Sequence, residues 1–357
     1  MAIRVQEITG RREGSVVEFL IFRDGVPNVG SMIFTEVEIR SIPALDATDS
    51  TLLNNHSLLN LLTVLYGELS LLGLALADDI EFLQGVLDRC AEIERDLRDA
   101  DATLRHAARA EDLLGEIADS LSLALDTVPG SRERTDVQES VTNIRSVLEV
   151  FRVRAREILS RAEAPEAWVE FEIDQLVADF RQVFAAIELN SHGRFHITFN
   201  PNHRGPKDYY VNFQVEGARP GHVRVPLIIK DVIRDLMANA RKYTKPGGSI
   251  SALLTETAEG LAFSVEDTGC GIPPNEIERV VHFGVRGSNV SQVRTLGGGF
   301  GLTKAFLVTQ QFRGRFWIAS ELGVGTRVRL AVPKPVAHLT EASYSPSAVG
   351  FERLALA

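Results

Sequence analysis

The 357-residue sequence predicts an α+β multidomain protein, an antiparallel helical bundle followed by an α/β sandwich. Three observations carry that prediction. From Ala44 to Val128 there is no proline, and helical patterning dominates. After Ala164-Pro165, strand-like alternation, helical stripes and Gly/Pro turns succeed one another at short intervals. Within that second half, Asp235–Thr244, Asp267–Gly271 and Gly297–Gly301 stand as three short motifs in order. The expected divisions are a short β-rich segment over 1–47, a helical domain over 48–165, an α/β domain over 166–334 and a tail over 335–357.

Composition narrows the classes. A hydrophobic content of 45% is ample for a core, and the formal net charge of −10 argues against a general nucleic-acid binder. Two cysteines, Cys90 and Cys270, stand far apart with no Cys-x-x-Cys, which favours a reduced, cytoplasmic compartment. No basic-then-apolar leader opens the chain, so no signal peptide is expected.

In order, Val16–Phe22 and Ser31–Ile39 carry β signals around Asp24-Gly25 and Pro27-Asn28. So short a segment is expected to pack on the following helices or to pair with its copy in a dimer. A first helix is predicted over Asp49–Ala77. Its polar residues His56, Asn60, Thr63, Gly67 and Ser70 follow spacings of four and three, so they share one narrow stripe. Nearly everything else from Leu58 to Leu76 is apolar. Leu58–Ala77 has the length of a membrane span, yet Asn60, Thr63 and Glu68 interrupt it and basic flanks are missing, so no span is expected. A helix apolar on most of its circumference belongs in a bundle, and a dimeric four-helix bundle covers it best.

Residues 78–127 add opposite-charge pairs at i,i+4, such as Glu94–Arg98 and Asp101–Arg105, and an apolar run through Leu113, Leu114, Ile117 and Leu121. Pro129-Gly130 breaks this helical material, and Arg134–Ser160 reads as another long helix. Trp168–Leu189 then starts the α/β domain. His203 and His222, in the turn-rich stretch that follows, read as surface residues.

The chemistry concentrates between Ile229 and Leu330. Ile228–Thr244 reads as a helix with Ile229, Val232, Ile233, Leu236, Met237 and Ala240 inward, which leaves Asp235, Asn239 and Lys242 on the other face. A carboxylate, an amide and an ammonium on one stripe suit a magnesium triphosphate, since Mg2+ prefers oxygen ligands and keeps several waters. Leu261–Glu266 alternates like a strand and delivers Asp267 to its end, where Gly269 and Gly271 permit close backbone approach. A buried carboxylate there can accept a hydrogen bond from an adenine amino group. Leu296–Ala305, with Gly297, Gly299 and Gly301, runs from a loop into a helix start and aims backbone N–H groups at phosphate.

Taken together, Asp235–Thr244, Asp267–Gly271, Phe283–Gly287, Gly297–Gly301 and Gly323–Thr326 resemble the boxes of the Bergerat-fold ATP-binding domain of sensor histidine kinases, in the GHKL superfamily. The resemblance covers about Trp168–Pro333. It implies ATP and Mg2+ as cofactors, with Asn239 a metal ligand, Lys242 on phosphate and Tyr243 near the base. It further implies that Asp267 reads adenine with Thr326 in support. Arg286 and Arg294 lie in the stretch that relatives use as a lid over the nucleotide. The run from His56 to Gly67 resembles the phosphoacceptor box of the same kinases, on a helical dimerisation and histidine phosphotransfer hairpin. That makes His56 the acceptor of the γ-phosphoryl group and gives Asn60 the place of the residue that relatives use in dephosphorylating their partner.

Several positions depart from the family. Ser57 stands where an acidic residue usually orients the imidazole, so Ser57→Glu is expected to raise the rate of autophosphorylation. Leu61 replaces the usual proline. Asp235 lies where these kinases carry Asn and their ATP-hydrolysing cousins carry Glu as a general base. The residues between 78 and 128 exceed a simple hairpin. The resemblance therefore implies a cytoplasmic histidine autokinase acting as a homodimer with a response-regulator receiver domain. An ATP-binding phosphatase or scaffold for that partner is the alternative, with Ser57 its hint. An ATPase with Asp235 as base is the third reading.

Overall fold

The computed structural model describes residues 36–335 apart from 165, 190, 192 and 291–297. The strand expected at Val16–Phe22, residues Arg294 and Gly297, and the tail from 336 onward lie outside the described residues.

Helix α1 (Ala47–Ala77) starts where the Asp46 carboxylate accepts the Asp49 amide at 2.7 Å, and stops at Asp78 in a left-handed conformation. Leu58, Leu62, Leu65, Leu69, Leu72 and Leu76 recur every three or four residues and form one buried row. They share a core with α2 (Gln84–Asp96), α4 (Ala110–Thr127) and α5 (Thr135–Glu163), through residues such as Ile93, Ile117 and Phe151. Burying each such leucine is worth about 1.5–3 kcal/mol against leaving it in water. The short helix α3 (Ala100–Ala108) is tied to α1 by Asn55, whose buried amide donates to the Leu97 carbonyl and the Thr103 hydroxyl, both at 2.7 Å.

The inserted helix α2 packs beside α5 on the apolar side of α1. What stays open on α1 is Tyr66, Leu71 and Leu74, each more than 40% exposed. Among the described residues α1 is also the one helix long and apolar enough to cross a membrane.

The second half opens with β2 (Trp168–Glu172), which pairs with β5 (His222–Pro226), and with α6 (Ile173–Leu189). Among the described residues the main sheet has seven strands. Their order is β1 (Glu36–Ile39), β8 (Arg315–Glu321), β9 (Gly325–Pro333), β7 (Gly260–Asp267), β6 (Ser249–Glu256), β4 (Tyr209–Glu216) and β3 (Ile197–Thr198). The β3–β4 and β4–β6 pairs are parallel and the others antiparallel. Helices α6, α7 (Leu227–Tyr243) and α8 (Gly301–Gln311) contribute to the core against it.

Strand β1 departs from expectation. Instead of lying on the helices, it adds an edge to the main sheet and buries Ile39 in that core. Charge explains the attachment. Glu38 binds Arg315 at 2.7 Å and Glu36 binds Arg329 at 3.0 Å, while both guanidinium groups lie against the Trp317 ring.

Candidate active site

Helix α7 buries Ile229, Val232, Ile233, Leu236, Met237 and Ala240, so its 3.6-residue period turns Asp235, Asn239 and Lys242 toward a cavity of about 840 Å³. Asp267, Gly271, Arg286, Gly299, Gly301 and Thr326 line the same cavity, as does Tyr243. Gly269 lies just beside it, with no room for a side chain: a Cβ there would sit 2.5 Å from the Asp267 carboxylate. Gly301 is equally constrained, since its Cβ would meet the Asn239 amide at 2.3 Å. Glycine at the start of α8 therefore keeps the Asn239 side chain at the cavity wall.

Strand period places Asp267 on the same buried row as Leu261, Phe263 and Val265. Burial pushes its carboxyl up to about 7, against opposing hydrogen bonds from the Gly269 and Thr326 backbones. The Gly269 amide donates at 2.8 Å, and Thr326 faces Asp267 across the β7–β9 ladder. Among the described residues no cation acts on this buried carboxylate, and its spare acceptor capacity fits an amino donor such as that of adenine. At the other end, burial lowers Lys242 to about 8, helped by the nearby positive charges of Arg286 and Arg241. Cations gathered there fit phosphate.

Magnesium passes a similar test. Among the described residues no hydrogen bond occupies the Asn239 amide, and no cluster of three or more His, Cys, Asp or Glu residues forms a protein-only cage. That matches an ion held by one amide oxygen, phosphate oxygens and water.

The bundle reaches this cavity through His56 and Asn60. The His56 ring meets Phe300 edge to face with centroids 5.1 Å apart, and Phe300 stacks on Phe283 at 4.6 Å. The Asn60 amide lies 3.1 Å from His56 Nε2. Burial lowers the His56 pKa, with Asp235 opposing and Lys304 and Lys242 reinforcing. The imidazole is therefore neutral near pH 7 and keeps a lone pair on one ring nitrogen. Ser57, by contrast, is only 7% exposed, and its hydroxyl has no hydrogen-bond partner. A glutamate there would be a buried charge, so the expected gain from Ser57→Glu loses its basis.

A charged cluster missed in the sequence joins α5 to α7 and α8. Asp231 binds Lys304, Arg154 and Arg161, the last at 3.1 Å, and Arg234 bridges Asp231 to Glu157. Lys304 also binds Asp235 at 2.7 Å. Burial alone would raise the Asp231 pKa, but Lys304 and the three arginines hold it well below the carboxylate range. Glu157 is likewise buried, and Arg234 and Arg154 bring it down to about 2. The available signal was Asp231 itself, one turn before Asp235 on the same stripe, and the Arg154/Glu157/Arg161 run on α5.

The family described as histidine kinase-, DNA gyrase B-, and HSP90-like ATPase matches residues 224–336. Residues 224–336 are thus similar to the ATPase domains of that family. The adaptive-response sensory kinase SasA of Synechococcus elongatus is 37% identical over 120 residues, 33% of this chain and 30% of that protein. The sensor histidine kinase RppB of Synechocystis sp. is 32% identical over 110 residues, covering 30% and 24%. The histidine protein kinase DivJ of Caulobacter vibrioides is 34% identical over 135 residues, covering 36% and 22%. The alignments thus span less than a third of each of these relatives. The ATPase domain holds all of the described cavity residues except His56 and Asn60, which come from α1, and Arg194, Phe195 and Ile187, which precede the match.

Proposed function

We propose that the protein is an ATP-dependent histidine autokinase of a two-component system. It moves the γ-phosphoryl group of ATP to His56 and then to an aspartate of a response-regulator receiver domain. The observation that carries this reading is that His56, neutral and nucleophilic, lines the same cavity as Asn239, Lys242 and Asp267. Asp267 would read the adenine, Lys242 and Arg286 would hold phosphates, and Asn239 would ligate Mg2+. That ion would supply charge neutralisation between the phosphates. Asn60, one turn beyond His56, would serve the reverse reaction on the partner. The two free thiols, Cys90 and Cys270, agree with a cytoplasmic setting. A homodimer would use the open side of α1, at Tyr66, Leu71 and Leu74.

Incubation with γ-labelled ATP tests the proposal. Acid-labile label is expected on the parent and none on His56→Gln. Label elsewhere, with His56→Gln fully active, would end it. An unlabelled parent that binds ATP and still speeds loss of phosphate from a phosphorylated receiver domain would establish the phosphatase reading, which the absence of a carboxylate at position 57 favours.

A further inference from the structure

We propose that Asp235, on the ATPase domain, supplies to His56 the carboxylate that position 57 lacks, and that Lys304 holds it in place. The inference rests on His56 as phosphoacceptor and adds a residue to that reaction.

Four observations lead to it. First, Asp235 and Asp267 are the two carboxylates among the residues lining the cavity that His56 enters. Asp267 is engaged at the far end by the Gly269 and Thr326 backbones, which leaves Asp235 for the imidazole. Second, the bundle offers no substitute: Ser57 is buried, and Glu68, three turns along α1, is buried beside Asn143 at 3.3 Å. Third, Asp235 is fixed rather than mobile. Its Oδ2 accepts from Lys304, which is 1% exposed and is itself bound by Asp231 within the arginine cluster. Among the described residues no hydrogen bond occupies Oδ1. Fourth, His56 is held from two other sides, by Phe300 of the ATPase domain and by Asn60 of its own helix. The charged groups acting on it are Asp235, Lys304, Lys242 and Asp231.

The step balances without a further reactant. One imidazole nitrogen attacks the γ-phosphorus with its lone pair, and the bond from phosphorus to the β–γ bridging oxygen breaks. ADP leaves with that electron pair. The imidazole is now cationic, and the proton on its other nitrogen passes to Asp235. A carboxylate lost from the bundle at 57 is thereby replaced across the domain boundary, so that acceptor and base meet only when the ATPase domain is docked on α5.

The test uses the full chain and Asp235→Asn, which keeps size and the Lys304 contact. Single-turnover labelling of His56 at saturating Mg-ATP is expected to fall about 10²-fold or more. Nucleotide affinity should stay near the parent value, and Asp235→Glu should recover part of the rate. The His56 titration midpoint, followed by imidazole NMR, should move further down in Asp235→Asn because an opposing negative charge is gone. Ser57→Glu added to Asp235→Asn is expected to restore nothing, and restoration would overturn the argument. A parent unlabelled at His56 defeats the autokinase reading, and the catalytic half of this inference with it. A His56 midpoint that Asp235→Asn leaves unmoved overturns the inference even in an active kinase. Loss of phosphate release to water with His56 labelling intact assigns Asp235 to water instead, and overturns it too.

Discussion

His56 and Phe300 meet edge to face at 5.1 Å between ring centroids, although one sits on the bundle and the other at the mouth of α8. An aromatic pair of this kind contributes about 0.5–1.5 kcal/mol. Phe300→Ala is therefore expected to slow His56 labelling by about 2- to 10-fold. Single-turnover kinetics at saturating ATP would show it. An unchanged rate would mean that Phe300 does not position the ring.

Asp267 predicts a pH dependence. Burial raises its carboxyl to about 7, well above the ordinary carboxylate range. A raised folded-state value favours the unliganded fold at low pH, and that contribution is lost as pH rises from about 4 through 7. Nucleotide acts oppositely, because an amino donor favours the ionised carboxylate. ATP affinity should thus rise between pH 6 and 8, and Asp267→Asn should weaken binding by about 1.5–3 kcal/mol and flatten the profile. Calorimetric titration at several pH values tests both. A parent profile as flat as the variant's would refute the assignment.

The cluster around Asp231 should govern docking. Four cations, Arg154, Arg161, Arg234 and Lys304, surround three carboxylates, Glu157, Asp231 and Asp235. Asp231→Ala leaves buried cations unpaired and is expected to cost about 3–5 kcal/mol, read by denaturant unfolding. The folded pKa values of Asp231 and Glu157 are depressed, so their contribution is present above the ordinary carboxylate range. It is lost as pH falls from about 4.5 toward 2. A variant as stable as the parent would remove the cluster from the energetics of docking.

Two sets of leucines on α1 should behave differently. Leu62 and Leu65 are buried within one chain, so Leu62→Glu is expected to unfold the bundle at a cost of several kcal/mol whatever the assembly. Leu71 and Leu74 are exposed, so Leu71→Glu with Leu74→Glu should leave the melting of the bundle intact and turn a dimer into a monomer. Sedimentation of each protein at micromolar concentration separates the cases. A parent that sediments as a monomer would mean that α2 and α5 of the same chain cover α1 sufficiently.

Where the sequence was legible, a short-range rule was at work. The α7 apolar face follows a 3.6-residue period, and its polar stripe necessarily lies opposite, so Asp235, Asn239 and Lys242 are read together. Asp267 ends a strand of period two, which puts it on the buried row. Where it was not legible, the partner lay far away in the chain. Glu36 and Glu38 reveal nothing until Arg329 and Arg315 lie beside them, almost 300 residues on.

The sequence by itself determined the elements, the order of the motifs and the ATPase domain, because each depends on neighbours within a few residues. Only the tertiary structure decided what those elements meet. It put α2 and α5 against α1, and it buried Ser57 while bringing His56 to the cavity that Asp235 lines. It also gathered Arg154, Asp231 and Lys304 from three helices into one cluster. Periodicity says which side of a helix is buried, but not against which other helix. That choice is made by long-range packing and by the pairing of charges that cannot be left alone in a core.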